Sequence, residues 1–206
     1  QQTMALWMAG AYQEESWFQP QSPSNFFHLK GHVLGLLEKL GLELTKETES
    51  KSHLFSEGLT LYVGKKAVAN LGLIKPELAK MAEVKVPVHY AELDWTALLQ
   101  LHGQQKIRFE SLSKFPFVRR DLALLLDQSV TYADCKQVVI QTEKNLLQSM
   151  QLFDVYAGKN LPEGKKSYAL SFILQDKEKT LSDKVIEKTM AKIQSQLEKQ
   201  LGASLR

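Results

Sequence analysis

"LFDVYAGKNLPEGKKSYALSFIL", residues 152–174, reads as two strands joined by a turn with Pro162 and Gly164 in it. Side chains along a strand alternate between two faces. In the second strand this puts Tyr168, Leu170, Phe172 and Leu174 on one side and Ser167, Ala169, Ser171 and Ile173 on the other. In the first, strict alternation puts Phe153 and Val155 on one side and Leu152, Asp154 and Tyr156 on the other. One face of the hairpin is therefore expected to be an apolar core. The other is small and polar, with one large aromatic ring.

The flanking segments supply the rest of a sheet. "RRDLALLLD" (119–127) is a strand with Leu122, Leu124 and Leu126 on one side and Arg119, Asp121, Ala123 and Leu125 on the other. "TYADCKQVVIQTEKNLL" (131–147) is an amphipathic helix, with Thr131 and Asp134 at capping-box spacing. "LSDKVIEKTMAKIQSQLEKQLG" (181–202) is a second helix, capped by Ser182 and stopped by Gly202, and "ASLR" (203–206) leaves room for a last strand. The order strand, helix, strand, strand, helix, strand is the ferredoxin-like βαββαβ pattern, in which both helices cover one face of a four-stranded sheet. The covered face would hold Leu122, Leu124, Phe153, Val155, Leu170 and Phe172. The uncovered face would display Arg119, Asp121, Ala123, Asp154, Tyr156, Ser167, Ala169 and Ser171.

A ring surrounded by Ala and Ser leaves space for a flat partner. Neighbouring carboxylates and hydroxyls can read that partner's edges. Unpaired RNA bases offer both a π-face and hydrogen-bonding edges, and Lys159, Lys165 and Lys166 in the hairpin loop, with Arg119 on the sheet, are placed for phosphates. On pattern alone this competes with a solvent-facing Tyr on a sheet docked against another domain. For Arg119-Arg120-Asp121, an ion pair bracing the sheet competes with a phosphate contact.

The first half mixes strands and helices. "SNFFHLKGHVLGLLEKLG" (24–41) is a helix capped by Ser24 or Asn25 and closed by Gly41; "LTLYVGKKAVANLGLI" (59–74) is a hairpin turning at Gly64-Lys65. "KPELAKMA" starts a short helix with Pro76 in its first turn, and "VPVHYAELDW" (86–95) is another strand. "LELTKETESKSH" (42–53) reads as a solvated connection. From about residue 99 the chain loses periodicity as far as Pro116, so a boundary is expected between 106 and 115 and domains at 1–108 and 109–206.

At 206 residues, 44% hydrophobic and 24% charged, the composition is that of a globular protein able to bury two cores. No apolar run reaches the roughly 18 residues of a membrane helix. The net charge of +3 resides wholly in the second half, which is weak support for a nucleic-acid partner. Cys135 is the single cysteine, so no internal disulfide is available, which fits a reducing cytoplasm. "QQTMALWMAG" at the start reads like a strand entered midway, so the chain is expected to be a fragment of a longer polypeptide. His28 and His32 lie four apart on a helix without a third ligand and read as surface histidines. Cys135, on an inward stripe, reads as a packing residue. No Walker-type or dinucleotide fingerprint is present.

"FPFVRRDLALLLD" (115–127), "LFDVYAGKNLPEGKKSYALSFIL", "KTLSD" (179–183) and "GASLR" (202–206) resemble the C-terminal anticodon-binding domain of the bacterial phenylalanyl-tRNA synthetase beta subunit. "FFHLKGHVLGLLEKLGL" (26–42), "VANLGLIKPEL" (68–78) and "YAELD" (90–94) look like the end of that subunit's catalytic-core-like module. The chain departs from the family at "SHLFSEG" (52–58), where a His-Pro-Gly turn is more usual. The resemblance implies an α+β chain: part of a non-catalytic class II synthetase-like module, then a ferredoxin-fold domain with one open sheet face. It implies a cytoplasmic heterotetramer of two alpha and two beta subunits that attaches phenylalanine to its tRNA with ATP and magnesium. This chain would carry no cofactor or active site and would have no DNA or membrane partner. Tyr156 would stack on an anticodon base, with Asp154, Ser167 and Ala123 beside it. The competing class is a stand-alone ferredoxin-like module that binds RNA or a regulatory amino acid.

Overall fold

The computed structural model describes residues 2–105 and 111–206. The chain divides into two compact units, Gln1–Arg108 and Phe109–Arg206. Part of the expected boundary, residues 106–110, lies outside the described residues.

In the first unit the elements are β1 (Thr3–Ala9), β2 (Ala11–Gln13), β3 (Ser22–Pro23), α1 (Phe26–Lys39), β4 (Lys46–Glu49), β5 (Phe55–Val63), β6 (Lys66–Ile74), α2 (Pro76–Met81), β7 (Val88–Asp94) and α3 (Trp95–Gly103). Five strands form an antiparallel sheet in the order β1-β7-β6-β5-β4, and β2 pairs with β3. Asn25 caps α1. Its side chain accepts from the His28 N–H at 2.9 Å, and its own N–H donates to His28 Nδ1 at 3.3 Å, so a histidine completes the box that Glu or Gln usually closes. Gly41 ends the helix at φ 67°, a conformation that costs glycine no Cβ clash. Leu29, Val33 and Leu37 pack on Leu61, Leu71 and Leu93, all essentially fully buried.

Two local readings of this half are corrected. Residues 46–49 are not a solvated connection but the edge strand β4, paired with β5 and tied to α1 by an ion pair between Lys30 Nζ and Glu47 Oε2 at 2.6 Å. Alternating charge on an edge strand conceals its period, because the strand contributes little apolar area. The supposedly aperiodic stretch after β7 begins as the helix α3. Asp94 caps it by accepting from the Ala97 N–H at 2.9 Å, and Ala97 and Leu98 are buried.

The second unit contains β8 (Val118–Asp127), α4 (Tyr132–Thr142), β9 (Leu147–Tyr156), β10 (Lys165–Leu174), α5 (Asp183–Leu201) and β11 (Ser204–Leu205). Its antiparallel sheet has the order β11-β8-β10-β9. The expected ferredoxin-like arrangement is therefore present. α4 starts with the reciprocal box of Thr131 and Asp134, in which the Asp134 carboxylate accepts from both the Thr131 N–H and its hydroxyl. It ends at Thr142, short of the expected 147, because Glu143 is extended (φ −133°, ψ 107°) and its carboxylate accepts from the Asn145 and Leu146 N–H groups at 3.0 and 3.1 Å. α5 stops at Gly202, φ 63°. Cys135, Val138 and Val139 of α4 and Ile193 and Leu197 of α5 pack on Leu124, Leu126, Met150, Tyr168, Leu170 and Phe172, so both helices lie on one face.

Strict alternation fails in β9. A register shift lies between the pairs of Ala169 and Leu170: Leu170 faces Leu152 while Ala169 faces Asp154, so Phe153 is an extra residue. Leu152, expected on the uncovered face, packs against the core. Phe153, expected in the core, is 54% exposed, and Val155 is 53% exposed. Met150, which strict alternation also puts on the uncovered face, is buried opposite Phe172. A bulge moves one residue out of the ladder and leaves no compositional mark, so the pattern could not reveal it.

Candidate nucleic-acid interface

The side of the second sheet away from α4 and α5 is built in rows. Pairing sets Ser204, Leu125, Ser167 and Tyr156 side by side across β11, β8, β10 and β9. In the next row Asp154 faces Ala169, which faces Ala123, and the Arg206 N–H donates to the Ala123 carbonyl at 3.1 Å. The four expected residues Tyr156, Asp154, Ser167 and Ala123 thus fall in two adjacent rows on one face. Asp154 and Ala123 are exposed, Tyr156 is half-buried and Ser167, beside it in the same row, is buried.

Two neighbours define the position of the Tyr156 ring. The Arg206 guanidinium carbon stands over it, 5.1 Å from its centre. Gly158 lies so close that a Cβ there would come within 2.5 Å of the phenolic oxygen and 2.6 Å of Cζ. Neither neighbour was foreseen. Alternation through "GASLR" would have found Arg206, since a residue two beyond Ser204 returns to the same face.

Residues 113–206 match the family described as "Ferredoxin-fold anticodon binding domain", and residues 1–95 match "Phenylalanyl tRNA synthetase beta chain CLM domain". The chain is 41% identical over 206 residues to the phenylalanine–tRNA ligase beta subunit of Bacteroides thetaiotaomicron, an alignment that covers 98% of this chain and 25% of the relative. It is 42% identical to the same subunit of Porphyromonas gingivalis, again over 98% and 25%. With that of Clostridium acetobutylicum it shares 35% identity over 185 residues, 88% of this chain and 23% of the relative. The chain belongs to the phenylalanine–tRNA ligase beta-subunit family. It spans about a quarter of the length of the curated relatives it matches.

On this stretch of the beta-subunit family the expected phosphate ligands separate. Lys159 is exposed in the hairpin loop. Lys165 shares the face of Ser167, and its ammonium is paired with Asp127 Oδ1 at 2.8 Å. Lys166 turns to the helix-covered side: it donates to the Gln128 carbonyl at 2.9 Å and stands 4.7 Å from the ring of core-facing Tyr168. It therefore does not join Tyr156, because adjacent strand residues point to opposite faces. Arg119 lies on the open face and forms the ion pair weighed above. Its Nε and one terminal nitrogen donate to the two carboxylate oxygens of Asp121 at 3.0 and 3.2 Å. Hydrogen bonds from Arg119, and then from Ser171, hold the Asp121 carboxyl below the usual carboxylate range.

The remaining candidates have structural roles. His28 completes the α1 cap and stacks on Tyr12 with ring centres 3.8 Å apart; His32 lies at the edge of the same cluster. No group of three or more His, Cys, Asp or Glu side chains with metal-binding geometry occurs among the described residues. Cys135 is fully buried, and desolvation, with Asp134 nearby, pushes its thiol up to about 11, which keeps it protonated and unreactive. No described helix is long and apolar enough to cross a membrane.

Proposed function

We propose that the two units act as domains, 1–108 and 109–206, and that the second receives the anticodon region of a phenylalanine tRNA. The Tyr156 ring takes one unpaired base, with Asp154, Ser167 and Ala123 beside it. One observation carries this reading. Tyr156 is a half-open ring on a helix-free sheet face, bordered by Ala and Ser, within residues that match an anticodon-binding family. Lys159 supplies backbone attraction that carries no sequence information. The first domain acts as a scaffold against the alpha subunit of a cytoplasmic heterotetramer. Aminoacylation, with its ATP and magnesium, takes place in that partner. The exposed rings of Trp7, Trp17, Phe18 and Phe27 on this domain favour burial against another protein.

The test is tRNA binding by the assembled ligase at one fixed salt concentration. Tyr156→Ala should weaken binding by about 1–3 kcal/mol, the usual value of one base–aromatic stack. Tyr156→Phe keeps the ring and should weaken it far less. Equal binding by wild type and Tyr156→Ala would refute the reading.

A further inference from the structure

Building on that reading of the Tyr156 face, we propose that Phe153 and Arg119 form a second stacking platform, so that the sheet takes two neighbouring unpaired nucleotides of one RNA strand. The bulge in β9 carries the argument. It leaves Phe153 outside the ladder, between Leu152 on the core side and Asp154 on the open side. The ring meets the Arg119 guanidinium, whose carbon is 5.6 Å from the ring centre. Arg119 lies on the open face, because its carboxylate partner Asp121 pairs across the sheet with Ser171, opposite in sense to buried Phe172. The bulge thus re-aims a phenylalanine that a regular strand would bury and delivers it to the face that holds Tyr156.

The chemistry suits a base better than a phosphate. Both oxygens of Asp121 are engaged by Arg119, and Asp121 is also hydrogen-bonded by Ser171, so the guanidinium is oriented and largely charge-compensated. What remains is a flat surface, a ring beside a fixed guanidinium, each about half exposed. Bases stack on both aromatic rings and Arg planes, and four-stranded sheets with two or three open aromatics take two or three bases. Phe153 and Tyr156 are three residues apart on one strand, and because the bulge adds a residue without advancing the ladder they lie closer than the roughly 10 Å of a regular strand. Consecutive nucleotides of an extended chain can bridge that span.

The experiment uses the assembled ligase and phenylalanine tRNA in which each anticodon nucleotide in turn lacks its base. Dissociation constants are measured for wild type, Tyr156→Ala, Phe153→Ala and Phe153→Trp. Phe153→Ala should weaken intact tRNA roughly 5- to 150-fold, and Phe153→Trp should restore binding. Removal of one base should abolish the Phe153→Ala effect, and that base should differ from the one coupled to Tyr156. The salt dependence should not change, because a stack releases no counterions. Coupling is read between tRNAs on the same variant, so a general loss of stability, which weakens every tRNA alike, cannot imitate it. A Phe153→Ala loss equal for all three base-less tRNAs, or no loss at all while Tyr156→Ala weakens binding, would overturn the second platform and leave the first. No effect from Tyr156→Ala would overturn the parent reading.

Discussion

Arg206 holds its guanidinium over the ring of Tyr156, 5.1 Å from its centre. A cation–π contact at an exposed site contributes about 0.5–1 kcal/mol, whereas a base–aromatic stack contributes about 1–3 kcal/mol. A base arriving on that side of the ring would displace the guanidinium with a net gain and leave a positive charge at the edge of the site, beside its own phosphate. Gly158 limits where the ring can sit. Gly158→Ala places a methyl group against the phenol, so the ring must turn. The domain should stay folded, since the ring is outside the core, while tRNA binding falls by about 1 kcal/mol or more, up to the full value of a stack. A circular dichroism melt beside a binding isotherm separates the two effects.

The two phenylalanines of the hairpin should differ sharply. Phe172 is fully buried under both helices, so Phe172→Ala should cost about 3–5 kcal/mol of stability. Phe153→Ala removes an exposed ring that stands beside the Arg119 guanidinium, and the cost should stay below about 1 kcal/mol. Urea denaturation of the two variants checks this. Alternation alone would have predicted a core penalty for Phe153.

In the first unit, Gly72 is a sharper test of packing. A Cβ there would lie 2.4 Å from the Glu57 carbonyl and 2.6 Å from the buried Phe55 ring. Backbone on one side and a core ring on the other leave nothing flexible to yield. Gly72→Ala should destabilise the unit by about 1–3 kcal/mol as an overpacking defect. The same substitution at Gly31 or Gly35, which have open space around them, should be neutral or stabilising through helix propensity. Thermal melts of the three variants would show the contrast.

His89 should make the first unit sensitive to acid. It is buried, its Nδ1 has no hydrogen-bond partner, and desolvation holds its pKa below the ordinary 6.5. Below pH 6.5 the unfolded chain binds a proton that the folded one refuses, so stability is fully present above that value and declines as pH falls through the depressed one. Urea midpoints at pH 7.5 and 5.5 should differ in wild type and converge in His89→Gln.

Much of this was legible because several local signals agreed. The Thr131–Asp134 box, the Gly202 stop, the leucines of β8 and the small residues of β10 each pointed to one four-stranded sheet under two helices. The placement of Asp154 and Tyr156 on the helix-free face followed, since both lie beyond the bulge and keep their relation to Ala169 and Ser167. Upstream of it, Leu152 and Phe153 exchanged faces relative to expectation, because an inserted ladder residue leaves composition and spacing unchanged. Lys166 was misplaced for a simpler reason: three loop lysines were read as one charge cluster, although residues 165 and 166 already alternate as strand. β4 and α3 were missed where charged or short segments rely on tertiary pairing and a single cap.

Strand β8 sits inside the sheet, and its two neighbours, β10 and β11, lie far from it along the chain. The Ala123 carbonyl waits for the amide of Arg206. Such a pairing pattern has high contact order and closes slowly. On a translating ribosome, residues 118–127 would emerge with both edges unpaired, and one would stay so until residues 204–206 had cleared the exit tunnel. The rows of the helix-free face would therefore be completed last. Over that interval an exposed, leucine-rich strand would depend on chaperones or on the nascent hairpin for cover.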